Sequence, residues 1–163
     1  MLAFDIAQFF PSLNYYILTT ILKKASFNAN IVSFFTSYLS NRTTQYTWES
    51  FVFPYFNVNI GVEQGSVLLP TLLALYFAPI LYILKKRQCN LFSLILTSIL
   101  SFINNSLIVV QEKDFNKTNT LLLTSYNMTA NILINFDLTI KYNKSEVFHF
   151  SRNFQDPNSD LNL

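Results

Sequence analysis

The chain has 163 residues, 51% hydrophobic and only 12% charged, with 11 basic and 9 acidic side chains for a net charge of +2. That length suits one domain with an ample core. The charge is too small to argue for a nucleic-acid partner unaided, and the charged fraction falls short of the quarter usual in soluble domains, which fits a surface covered by further protein or by lipid.

A single cysteine, Cys89, excludes an internal disulfide and agrees with a reducing compartment. The opening residues, MLAFDIAQFF, lack the basic start and cleavage site of a secretory leader, so an intracellular protein is expected.

Residues 1 to 6 alternate into a short apolar strand ending at Asp5. Pro11-Ser12 then mark a turn, with Ser12 as the N-cap of a helix over LNYYILTTILKK. A second apolar helix covers about residues 30 to 39. From 43 to 60, polar residues alternate with aromatic or β-branched ones on either side of Pro54, the pattern of two strands joined by a turn. The two glycines of the chain, Gly61 and Gly65, follow around Gln64 and predict a loop whose backbone approaches something closely.

The uncharged run from 67 to 84 is near the lower length limit for spanning a bilayer, so a multi-pass membrane protein is an alternative reading. Pro70 suits the first turn of a buried helix over 69 to 86, which Pro79 would kink. Lys23-Lys24 and Lys85-Lys86-Arg87 each end an apolar run, as basic residues at helix C-termini do. Apolar runs at 91 to 103 and 106 to 111 flank Asn104-Asn105, which suit the turn of a β-hairpin. Asp114 is placed to cap a long amphipathic helix to about 135, and SEVFHF, Ser145 to Phe150, reads as a closing strand. The lone His149 reads as a core or edge residue. The tail from 153 to 163 has no apolar period and reads as disordered.

Stripped of insertions, this order is βαββαβ. It predicts an α+β fold, a ferredoxin-like antiparallel sheet with helices on one face, carrying an extra helical and hairpin insertion.

Four segments, LAFDIAQFFPSLN, GVEQGSVLLPTLLALY, FINNS and KSEVFHFSR, resemble in order the palm motifs of reverse transcriptases. The match is with the LINE-type (non-LTR) retrotransposons of fungi, and SYLSNRTTQYTW resembles the connection between their first two motifs. The resemblance implies a partial reverse transcriptase domain, the polymerase palm, over residues 1 to 152. In the intact family the partners are an RNA template, a DNA primer and a dNTP, the cofactor is Mg²⁺ and the place of action is the nucleus. Fingers, thumb and endonuclease are expected to lie outside the chain, which as it stands is expected to hold no partner tightly.

Carried over residue by residue, Asp5 corresponds to a metal ligand, and Phe10 to the bulky position that excludes a ribose 2′-hydroxyl. Gln64, Gly65 and Ser66 correspond to the loop against template and incoming nucleotide, and Lys144 to a proton donor for the pyrophosphate leaving group. The third motif departs: where the family carries Val-Asp-Asp-Gly, this chain has Ile103-Asn104-Asn105-Ser106. Two of the three metal-binding carboxylates are thereby amides. A unit charge pair ~4 Å apart is worth ~4 kcal/mol at an effective dielectric near 20, and ~1.4 kcal/mol is tenfold in rate. The resemblance therefore implies a catalytically inactive remnant, with an active reverse transcriptase fragment completed by other domains as the alternative. Ile103, Asn104, Asn105, Ser106, Glu63 and Asp137 are each one G-to-A change from the family residue, and Val67 and Leu69 one C-to-T change, the direction expected of strand-symmetric C-to-T decay in a repeated element.

Overall fold

The computed structural model describes residues 1–63, 65–91, 96–102 and 104–150. They fall into two compact units, Met1–Ala7 with Ala78–Leu163, and Gln8–Phe77.

The first unit is built on β1 (Leu2–Ala7). Its alternation buries Leu2, Phe4 and Ile6 on one face and turns Ala3, Asp5 and Ala7 to the other. One edge of β1 pairs antiparallel with β7 (Asn105–Gln111), in register from Leu2↔Ile108 to Asp5↔Asn105. β6 (Leu96–Phe102) pairs antiparallel with the far side of β7. The other edge of β1 is shared: β8 (Thr139–Ile140) takes Ile6 and Ala7, and β9 (Glu146–Val147) takes Leu2 and Ala3. The sheet order is β6-β7-β1-β8, with β9 also on β1, and every pairing is antiparallel.

The long helix α5 (Phe115–Ile134) packs on β7 and β8, burying Leu122, Tyr126 and Leu133. Tyr126 meets Phe4 edge to face at 5.8 Å. As expected, Asp114 caps this helix, its carboxylate accepting from the Lys117 amide at 3.2 Å.

The second unit holds α1 (Phe9–Ser12), α2 (Tyr15–Lys24) and α3 (Ala29–Leu39), whose buried faces include Phe9, Leu18, Leu22, Phe35 and Leu39. Ser12 does not cap α2. It ends α1, where Pro11 is tolerated because the first turn of a helix needs no donor from it, and Asn14 is the cap instead. The Asn14 side chain accepts from the amides of Tyr16 at 2.9 Å and Ile17 at 3.3 Å.

Four short strands replace the expected two: β2 (Arg42–Thr44) with β5 (Phe56–Val58), and β3 (Thr47–Trp48) with β4 (Phe51–Val52). The ladder breaks at Phe53-Pro54-Tyr55, where proline has no N–H to give. This ribbon exposes Tyr46, Trp48, Phe51 and Tyr55, in keeping with the low charged fraction.

Helix α4 (Leu69–Leu91) runs through Pro79 and carries Pro70 in its first turn. Because it continues to Leu91, Lys85-Lys86-Arg87 do not form its last turn, whereas Lys23-Lys24 do end α2. Leu69–Arg87 is the one stretch among the described residues long and apolar enough to cross a membrane. Its Leu72, Tyr76, Ile80 and Leu84 are buried within the protein and form one face of the helix. After a 3-10 turn over Tyr142–Lys144, the closing strand is shorter than expected, since only Glu146–Val147 pair with β1. The tail from 153 to 163 lies outside the described residues.

Candidate functional site

The first unit brings Asp5, Asn104, Asn105 and Lys144 together. Asp5 lies near the end of β1, where its own carbonyl accepts from the Lys141 amide at 2.8 Å and the next residue, Ile6, donates to the Asn104 carbonyl at 2.8 Å. The Asp5 side chain is only 15% exposed. Asn104 Nδ2 donates to Asp5 Oδ1 at 2.6 Å, and Lys144 Nζ stands 3.8 Å from Asp5 Oδ2. A hydrogen bond to an ionised acceptor is the stronger kind. The ion pair adds less, because the Lys144 side chain is 58% exposed and water screens it.

The two asparagines are not equivalent. Both were expected in the hairpin turn, but Asn105 pairs with Phe102 and with Asp5 as the first residue of β7, and Asn104 stays in the turn. Strand pairing across β1 draws Asn105 out of the turn. It lines, with Asp5, Ser106, Asn143, Lys144 and Glu146, a cleft of about 430 Å³. Buried Ser106 donates to Ser101 Oγ at 3.0 Å. Lys144 sits at the end of the 3-10 turn and not on a strand, its amide donating to the Lys141 carbonyl at 3.0 Å.

The second unit holds Phe10, Gly65 and Ser66; Gln64 lies outside the described residues. Gly61 is the glycine that something approaches closely. Its φ is +78°, and a Cβ there would lie 2.7 Å from Pro11 Cα and from the Pro11 carbonyl oxygen. The Gly61 and Val62 amides donate to the carbonyls of Leu13 at 2.8 Å and Phe10 at 2.9 Å, so Phe10 contributes backbone as well as a half-buried ring. The Gly61 carbonyl accepts from the Tyr15 hydroxyl and from Arg42 Nη1 at 2.9 Å, and that same guanidinium nitrogen reaches Tyr15 Oη at 3.1 Å.

Gly65 differs: its φ is +103°, but nothing lies within 4 Å of a Cβ built there. It is required by backbone conformation alone. Ser66 Oγ is 2.6 Å from the Tyr38 hydroxyl and accepts from the Leu68 amide at 3.3 Å at the start of α4.

Tyr15, Tyr38 and Arg42 escaped the reading of the sequence. Tyr38 and Arg42 stand in the quoted SYLSNR segment, but which groups they hold depends on contacts 28 and 19 residues away. His149 lies against the Phe115 ring at 4.7 Å, and burial lowers its pKa from the ordinary 6.5.

No protein-family model matches the chain, and no curated protein does. Among solved structures it is similar to telomerase from Candida tropicalis in complex with a fragment of telomeric RNA. The TM-score is 0.69 at 14% identity, over 89% of this chain and 25% of that one. Apo telomerase from the same organism, truncated from its C-terminal domain, gives 0.68 at 15% identity, over 89% of this chain and 29% of that one. The chain thus spans about a quarter of the length of the telomerase chains it matches. At this identity the likeness is one of fold. The chain is an α+β protein with a fold like that of part of telomerase, a reverse-transcriptase-related polymerase.

Proposed function

We propose that this chain is the palm of a reverse-transcriptase-type polymerase derived from a non-LTR retrotransposon, and that it no longer polymerises. The observation that carries this reading is the Asn104–Asp5 hydrogen bond of 2.6 Å, which stands where the resemblance implies two carboxylates sharing metal ions. The likeness to telomerase supports the polymerase-type fold beneath it.

Mg²⁺ is a hard cation that depends on anionic oxygen ligands. Asp5 is the one carboxylate left of the three, its Oδ1 taken by an amide donor and its Oδ2 facing an ammonium. Among the described residues no three His, Cys, Asp or Glu side chains are grouped to hold a metal. This donor set does not fit a pair of magnesium ions. Template, primer and dNTP belong to the intact relatives, where Phe10 and the Gln64-Gly65-Ser66 loop would meet them; on our reading this chain binds none of them tightly.

The test is primer extension by the purified chain on an RNA template with a DNA primer, in Mg²⁺ and again in Mn²⁺. No extension is expected in either. Template-dependent extension by the unaltered chain would overturn the loss of activity.

A further inference from the structure

We propose that the cleft around Asp5 has become an internally neutralised joint. Asn104 and Lys144 hold the Asp5 carboxylate from within the chain, so that the stability of the sheet around it owes nothing to a divalent cation. The inference rests on reading the cleft as a former metal site.

A group of three carboxylates in one cleft repels itself unless cations lie between its members, so such a site contributes to stability only when loaded. Here the arrangement is the reverse. At 2.6 Å, the Asn104 to Asp5 contact is shorter than an ordinary N–H···O bond, as charge-assisted bonds are. Asp5 is 15% exposed, so water is poorly placed to replace a lost partner.

Both partners are delivered by backbone that grips the same short stretch of β1. Asn104 offers its carbonyl to the Ile6 amide, and the turn bearing Lys144 begins at Lys141, whose amide donates to the Asp5 carbonyl, each at 2.8 Å. Three segments, around residues 5, 104 and 144, are thereby tied at one carboxylate, the Asn104 bond alone closing 99 residues of sequence separation. An aspartate at 104 has the size of asparagine but no side-chain N–H. It would set two carboxylates against each other at the point where the present chain makes a 2.6 Å hydrogen bond.

The experiment compares the thermal unfolding of the full chain with its Asn104→Asp and Asn104→Ala variants, each in EDTA and in millimolar Mg²⁺. The unaltered chain is expected to melt at the same temperature in both. Asn104→Asp is expected to melt at least ~3 °C lower in EDTA and to recover part of that loss in Mg²⁺. Asn104→Ala, which removes the donor without adding charge, is expected to lose less than Asn104→Asp and to ignore Mg²⁺.

A midpoint of the unaltered chain that rises with Mg²⁺ would overturn the joint, as would an Asn104→Asp variant as stable as the parent in EDTA. Should Asn104→Asp not fold at all, Asn104→Ala decides: a midpoint equal to the parent's overturns the proposal, and a lowered one supports it. The two readings fail separately, since a chain stabilised by Mg²⁺ yet inert in primer extension loses the joint and keeps the loss of polymerisation.

Discussion

In the Gln8–Phe77 unit, Gly61 stands in a setting of backbone contacts that would reject most other residues, with its amide, its carbonyl and its missing Cβ each accounted for by a named neighbour. In the unit built on β1, Asp5 keeps an equally well-held backbone, yet the side chain that donates to its carboxylate, Asn104, is a neutral amide where the resemblance implies a carboxylate. Loop geometry held by main-chain bonds tolerates little change at its glycine. A carboxylate cluster held by strand register can exchange charge for amide with no change of shape, because aspartate and asparagine occupy nearly the same volume. Scaffold and charge are therefore separable.

Substitutions can break this comparison. Gly61→Ala meets both the positive φ and the 2.7 Å approach of Pro11, and is expected to cost about 3 kcal/mol or more in urea unfolding. A loss below about 1 kcal/mol would mean the loop is not held as described. Arg42→Met deletes the charged donor to the Gly61 carbonyl while keeping an apolar stem, for an expected loss of about 2 kcal/mol. Gly65→Ala sharpens the contrast between the two glycines: with open space around its Cβ it should cost only the backbone strain, about 1 kcal/mol.

The smallest effect is a pH slope. Burial against Phe115 is the main cause lowering the His149 pKa from 6.5, with the cationic N-terminal amine second, so the unfolded chain takes up a proton before the folded one does. Above the unfolded pKa both states are neutral and this residue adds no pH dependence. As pH falls through it, the unfolded state binds more protons and stability declines. His149→Gln should flatten unfolding midpoints measured between about pH 7.5 and 5.5.

Local chemistry was legible where a single residue of the right type had a local partner. Asp114 was readable as an N-cap because its acceptor and the amide it serves lie three residues apart. At the start of α2, Ser12 and Asn14 are both capping types, and only the backbone of α1 separates them. Asn104 and Asn105 suit a turn equally by type, and it is pairing with Asp5 across the sheet that assigns one to the strand. The basic cluster Lys85-Lys86-Arg87 suits a helix C-terminus by type, yet it lies inside a helix that runs on to Leu91.

The sequence by itself determined the alternation of β1, the capping of α5 by Asp114, and the presence of amides where carboxylates are implied, since each of these is a property of neighbouring residues. Only the tertiary structure decided that Asn104 donates its amide to the Asp5 carboxylate while Asn105 pairs with Asp5 in the sheet, that Lys144 completes its surroundings, and that Gly61 lies against Pro11 while Gly65 faces open space. Those outcomes join residues far apart in the chain through strand register and backbone hydrogen bonds, and no local pattern carries the distance between them.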